Sequence, residues 1–282
     1  MSAQKTMERL IEFSRKYGSD PELVLAGGGN TSMKENGVLY VKSSGSRLAT
    51  ISKEEFASLD IAKLLEITKK EYPDSDSARE AAFLADVTAS LLPGEENKRP
   101  SVEALLHALF PQRYVLHLHP ALVNGLTCAV NGEKEAKRLF PDALWVQACR
   151  PGYTLGKLLA NKMCADTRVV LLQNHGVFFA ADTPEELGAL LDNMLKKLRS
   201  HIVETGELPK PDLSKPFTPD HIVYCGVGPL LPDTENARLL YKDAQKIAAY
   251  SEFFGGPLPL EKELVDFILN WEAESYRKSR SK

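Results

Sequence analysis

Apolar positions recur along this chain with two periods, and together they set out an alternation of helices and strands. Residues 3–17 carry Met7, Leu10, Ile11 and Phe13 near one stripe, the spacing of an amphipathic helix. The stretch LVLAGGGNTSMKENGVLYVKSSG (23–45) reads as strand, glycine turn, strand and loop, with Asn36-Gly37 set to close a hairpin. Ser52-Lys53-Glu54-Glu55 is a capping-box pattern and predicts a short helix. Residues 79–92 are strong helix formers that stop before Pro93-Gly94. Pro100 precedes a helix whose buried stripe is Val102, Leu105, Leu106 and Leu109, and Pro111 ends it. RYVLHLHP (113–120) then reads as a strand, and RVVLLQNHGVFFAA (168–181) as a strand pair around a bend at Gly176. Thr183-Pro184-Glu185-Glu186 caps a long helix running to about Leu208. Four prolines in 209–219 mark a linker or an extended crossing. An apolar run at 221–231 and helices near 235–252 and 260–279 follow, so the pattern divides the chain into 1–208 and an appendage, 209–282.

Composition narrows this picture. The 282 residues are 43% hydrophobic with a formal charge of −3, enough apolar material for a core and no basic stripe for nucleic acid. No apolar run approaches the roughly 20 residues that span a bilayer, and MSAQKTMERLIEF has no signal core. Cys128, Cys149, Cys164 and Cys225 form no Cys-x-x-Cys pair and read as small core residues in a reducing compartment. The expectation is a cytoplasmic protein without membrane or nucleic-acid partners.

Chemistry enters with the histidines. His117 and His119 lie two apart in a strand pattern, so they share one face while Leu116 and Leu118 take the other. A third ring, His175, ends another apolar run. Three imidazoles with an open fourth position suit a catalytic divalent metal, zinc first. For His201 and His221 a structural role is expected. Gly27-Gly28-Gly29-Asn30-Thr31-Ser32 can approach a ligand closely and offer backbone amides, the Asn30 amide and two hydroxyls to an anion. Ser43-Ser44-Gly45-Ser46 repeats that chemistry after the strand VLYVK. Together the loops suggest a phosphate or polyol pocket. Glu103 stands four residues before His107, on a shared face turned from the leucine stripe. It is either half of an exposed pair or a carboxylate beside the metal.

In this order, GGGNTS (27–32), SSG (43–45), RPSVE (99–103), HLHP (117–120) and QNHG (173–176) resemble the class II aldolase/adducin family over roughly residues 5–205. The RPSVEALLHAL stretch is most similar to the aldolase part of rhamnulose-phosphate aldolase–lactaldehyde dehydrogenase fusions. The resemblance implies an α/β, three-layer αβα fold with a mostly antiparallel central sheet flanked by helices, here carrying a C-terminal helical appendage. It implies a homotetramer with sites between subunits. It makes His117, His119 and His175 the ligands of Zn2+, or of another divalent ion such as Mn2+. Glu103 becomes the catalytic acid/base, and Gly29, Asn30, Thr31, Ser44, Gly45 and Ser101 the phosphate-binding set.

The activity implied is reversible cleavage of a fuculose- or rhamnulose-like ketose phosphate to dihydroxyacetone phosphate and an aldehyde. A Lewis-acid metal suits the enediolate that such cleavage leaves. Related epimerases, dehydratases and decarboxylases of sugar phosphates or sugar acids use the same site, and adducin-like modules bind without catalysis. Two departures stand out. Val102 occupies a place where a second phosphate-loop serine is common, and the tyrosine lent by a neighbouring subunit has no clear match beyond Trp145 and Tyr153.

Overall fold

Asn36 and Gly37 both take left-handed backbone angles, φ 51° and 78°, as a two-residue hairpin turn between twisted strands requires. They join β1 (Asn30–Glu35) to β2 (Val38–Lys42) in the computed structural model, which describes residues 3–203 and 206–280. β3 (Phe56–Asp60), β4 (Tyr114–Leu118), β5 (Leu144–Val146), β6 (Val169–Leu172) and β7 (Gly176–Ala181) complete one sheet. Its order is β3-β2-β1-β4-β7-β6-β5. Every neighbouring pair is antiparallel except β5 with β6. The sheet is flanked by helices, giving the mixed α/β, mostly antiparallel architecture expected.

Alternation along β4 decides what each face holds. Tyr114, Leu116 and Leu118 join a core with Leu10 and Phe13 of α1 (Ala3–Gly18) and Leu187, Leu191 and Leu198 of α8 (Pro184–Arg199). Val115 faces the other way, with Leu106 of α4 (Ala104–Leu109), Leu155 and Leu159 of α7 (Tyr153–Lys162), and Phe178. On that second face Leu39, Val41 and Leu59 meet Phe83 and Val87 of α3 (Asp76–Ala89). Each such leucine or phenylalanine contributes about 1.5–3 kcal/mol on burial, so the sheet is locked in register from both sides.

Several boundaries differ from the sequence expectation. The helix begun at Thr183 ends at Arg199, not near Leu208, and of the remaining stretch residues 204 and 205 lie outside the described residues. The Ser52–Glu55 capping box forms, yet encloses only a three-residue 3-10 turn, Lys53–Glu55. Val102 and Leu109, expected in the buried stripe, are only partly covered. The helix expected at 260–279 breaks at Trp271 into α11 (Lys262–Asn270) and α12 (Glu272–Arg280). Cys164 is exposed rather than part of the core, whereas Cys128 and Cys225 are buried; all four thiols are free.

The pattern gave no sign of β3, β5, α2 (Ile61–Glu66), α5 (Ala121–Thr127), α6 (Gly132–Leu139) or α7. Most are too short to display a period.

The appendage contains α9 (Pro219–Cys225) and α10 (Glu235–Ser251) before α11 and α12. Ile222 packs with Leu260, Val265 and Ile268, and Tyr224 with Leu240. α10 lies along α5, which follows directly from the histidine strand. No helix among the described residues is long and apolar enough to cross a membrane.

Candidate metal centre and anion cleft

The three histidines converge. His117 is fully buried on β4, and His119 lies one residue past its end. His175 sits in the Gln173–His175 turn between β6 and β7 rather than on a strand. Asn174 holds that turn with a left-handed φ of 56°, a conformation asparagine tolerates better than most residues. Its amide donates to the Phe217 and Leu258 carbonyls at 3.1 and 2.7 Å. Gly176 is needed next: a Cβ there would lie 2.4 Å from the Leu118 carbonyl oxygen and 2.6 Å from the His119 ring.

Ring orientation follows from the outer nitrogens. His117 Nδ1 donates to the Val177 carbonyl at 3.0 Å, and His119 Nδ1 donates to Asp220 Oδ2 at 2.6 Å. Both Nε2 atoms therefore face inward, 2.9 Å apart. Two lone pairs at that distance repel unless a cation lies between them. One ligand atom from each of the three rings lies within 4.8 Å of the others. Zn–N bonds of about 2.0–2.1 Å in a tetrahedron place nitrogens roughly 3.3 Å apart, so the donor set fits a divalent transition metal. Burial and the neighbouring rings of His119 and His117 push the His175 pKa down to about 3, the neutral form that a metal ligand needs.

Glu103 occupies the cap position before α4. Its Oε1 lies 3.3 Å from His117 Nε2 and 3.6 Å from His175 Nε2. The Asn30 amide donates to its Oε2. Burial alone would raise the Glu103 pKa, but the combined attraction of His117, His175 and His119 holds it below the usual carboxylate range. Of the two readings open for Glu103, the exposed pair with His107 does not form, and the carboxylate stands beside the metal histidines instead. His107 is fully buried and hydrogen-bonded through Nδ1 to Ser32 Oγ at 2.7 Å, and burial pushes its pKa well down.

A cleft of about 50 Å³ opens beside these groups. Gly29, Asn30, Ser44, Gly45, Ser101 and Glu103 line it together with His119 and His175. The two outer loops are tied: Ser44 N–H donates to the Arg99 carbonyl at 2.9 Å, and Ser43 bridges to Pro100. Thr31 is the exception. It pairs with Leu116 across β1 and β4, so its hydroxyl faces the opposite side of the sheet and meets Ser14 Oγ at 2.6 Å. Asn30, paired with His117, faces the cleft. Trp145 and Tyr153 do not line it. Tyr153 donates to the Lys70 carbonyl at 2.9 Å, and Trp145 is buried over Gly132.

Three groups were not anticipated. Lys42, 4% exposed, ends β2 and places a cation in the cleft, donating to the Gly27 carbonyl at 3.3 Å. A lysine closing an alternating strand just before SSG was the available signal. Arg99 also lines the cleft, paired with Glu272 and stacked at 4.0 Å over the Tyr276 ring. Asp220 was invisible, since it lies 101 residues from His119. His201 and His221 are structural as expected: His201 Nδ1 donates to the Lys197 carbonyl, and His221 pairs with Asp243 at 3.1 Å.

A mostly antiparallel sheet carrying three convergent imidazoles, a carboxylate and a hydroxyl-lined cleft defines a class of fold and site. The model of the class II aldolase and adducin N-terminal domain matches residues 8–195, and the chain belongs to that family. A relative from Bacillus subtilis, described as the uncharacterized oxidoreductase YuxG, is 33% identical over 194 residues. That match covers 64% of this chain and 27% of the relative, so the chain spans about a quarter of that protein's length. The N-terminal class II aldolase domain of a conserved Thermoplasma acidophilum protein is 28% identical, with a TM-score of 0.61. It covers 69% of this chain and 92% of its own. YgbL from Klebsiella pneumoniae, described as a putative aldolase/epimerase/decarboxylase, is 17% identical with a TM-score of 0.50. That match covers 71% of this chain and 89% of YgbL and shares the fold.

Proposed function

We propose that this protein is a divalent-metal-dependent aldolase that cleaves a ketose phosphate reversibly to dihydroxyacetone phosphate and an aldehyde. The observation that carries the reading is the inward convergence of the His117 and His119 Nε2 atoms beside His175 and Glu103. His117, His119 and His175 would hold the metal, zinc first and Mn2+ next. Bound there, a divalent cation supplies Lewis-acid stabilisation of the negative charge that develops as the carbon–carbon bond breaks.

The chain's own groups supply the rest. Glu103, ionised at neutral pH, accepts and returns a proton, a role that contributes about 10²–10⁴-fold. Asn30 fixes the orientation of that carboxylate. Gly29, Ser44, Gly45 and Ser101 would anchor the phosphate, with Lys42 as the charge beside them. Binding energy there positions the reacting carbons, since remote contacts support orientation at the reacting centre.

We take residues 1–208 as the family domain, with its three-layer αβα arrangement, and 209–282 as an extension packed upon it. Assembly as a homotetramer belongs to the same proposal and is checked by sedimentation. The decisive experiment measures bound metal and dihydroxyacetone phosphate released from a panel of ketose phosphates. Stoichiometric metal with release supports the reading; a protein that stays metal-free after reconstitution defeats it and favours a binding module.

One observation supports a second reading. Among the described residues no tyrosine lines the cleft, so a phenolic donor to the departing alkoxide would have to come from elsewhere. Epimerases, dehydratases and decarboxylases with this metal site need not protonate an alkoxide in that way. Product stereochemistry and carbon dioxide release separate them from the aldolase.

A further inference from the structure

We infer that Asp220, supplied by the C-terminal appendage, is a positioning residue for the metal centre. It sets the tautomer and orientation of His119, so that the appendage completes the site rather than decorating the domain. This rests on the metal-centre reading above and extends it to a residue outside the family-matched segment, residues 8–195.

The geometry is specific. Asp220 is 4% exposed and accepts from His119 Nδ1 at 2.6 Å, a charge-assisted distance. With Nδ1 protonated, the Nε2 lone pair must point inward, where His117 Nε2 and His175 lie. A carboxylate on the outer nitrogen also makes the imidazole a more basic ligand. Such partners commonly change metal affinity by about 10–100-fold. The other inward ring, His117, has only a carbonyl, Val177 O, in the equivalent place.

Room for the carboxylate comes from the glycine turn. A Cβ on Gly28 would stand 3.2 Å from Asp220 Oδ2 and 3.6 Å from His119 Nδ1. GGGNTS therefore serves the site on two sides, with Asn30 on Glu103 and bare Gly28 against the aspartate.

The appendage fixes Asp220 firmly. Pro219 and Asp220 form the first turn of α9 after Thr218. The Gly27 N–H donates to the Tyr224 hydroxyl at 3.3 Å. Three residues before Asp220, the Phe217 carbonyl accepts from Asn174, beside the third histidine. His221 anchors the same turn to α10 through Asp243. Two metal-site segments are thus braced by the appendage, and Asp220 is its direct contact with a ligand ring.

The test compares zinc dissociation constants, measured by chelator competition, and melting temperatures of the metal-free proteins for wild type, Asp220→Asn and Asp266→Asn. Asp266→Asn removes an exposed carboxylate of the appendage, paired with Lys262 on α11, without touching a metal histidine or the turn that holds Asp220. The expected result is a roughly 10–100-fold weaker zinc constant in Asp220→Asn with an unchanged metal-free melting temperature, and a wild-type zinc constant in Asp266→Asn. Equal zinc affinity in Asp220→Asn, or equal weakening in both variants, overturns the inference. If wild type itself binds no zinc, the metal-centre reading has failed, which this design distinguishes. A measurement on wild type stands independent of whether the variants fold. Imidazole 15N spectra of the zinc-loaded protein should show His119 protonated at Nδ1 and metallated at Nε2, and the reverse pattern overturns the assignment.

Discussion

Asn30 and Glu103 are 73 residues apart, yet the Asn30 amide donates directly to Glu103 Oε2. The register of β1 against β4 brings this about, because it places Asn30 opposite His117. The amide occupies one carboxylate oxygen and leaves the other, Oε1, facing the His117 and His175 rings. The carboxylate is thus aimed as well as near.

Glu103→Gln should keep the metal histidines in place while removing the proton acceptor. Bound metal is expected to remain stoichiometric, and turnover to fall by about 10²–10⁴-fold. Metal analysis and single-turnover release of dihydroxyacetone phosphate check this; wild-type rates in the variant would refute the role of Glu103.

Chelation should abolish turnover and zinc or manganese should restore it, because stabilisation of the developing negative charge is assigned to the cation held by the three imidazoles. His175→Ala should bind metal much more weakly, while its fold persists because that ring sits in a turn rather than in the core. Metal content after dialysis together with circular dichroism separates the two effects. Full metal occupancy in the variant would remove His175 from the ligand set.

Much of the site was legible because period-two alternation is a local property. His117 and His119 share a face wherever the strand lies, and Leu116 packs opposite as expected. The same rule explains the error at Thr31: one residue along from Asn30 means the other side of the sheet. A loop reading treats GGGNTS as one cluster, whereas β1 begins at Asn30 and separates its side chains. His107 was misjudged because α4 is buried almost all round, which a leucine stripe alone does not reveal. Asp220 depends on how the appendage docks and leaves no trace in spacing, whereas Lys42 shows only as the residue that closes an alternating strand before SSG. Short elements such as β5, three residues long, are held by their neighbours rather than by their own pattern.

Lys42→Met should weaken the binding of anionic substrates in particular. A hydrogen bond to a charged group contributes about 1.5–3 kcal/mol, so KM for a ketose phosphate is expected to rise by roughly 10- to 150-fold. The KM for the unphosphorylated sugar should barely move. Parallel increases for both substrates would mean that Lys42 supports the loop through Gly27 and does not hold the phosphate.

The stability of the protein should rise with pH above neutrality through Lys34. Its ammonium donates to the Gln112 carbonyl at 3.0 Å. Burial lowers its pKa to about 7, against a smaller opposing pull from Asp182. In the unfolded chain the amine titrates near its ordinary value of 10.5. Between pH 7 and 10.5 the unfolded state therefore binds more protons than the folded one, and stability increases as pH rises through that window. Below pH 7 both states are protonated and the contribution is flat, with the cost of burying the charge fully present. The slope cannot exceed one proton's worth, about 1.4 kcal/mol per pH unit. Urea midpoints for wild type and Lys34→Met, taken from pH 6.5 to 9.5, isolate it. The variant should be the more stable at pH 6.5, and its advantage should shrink as pH rises. A difference independent of pH would show that the amine stays charged in the folded protein.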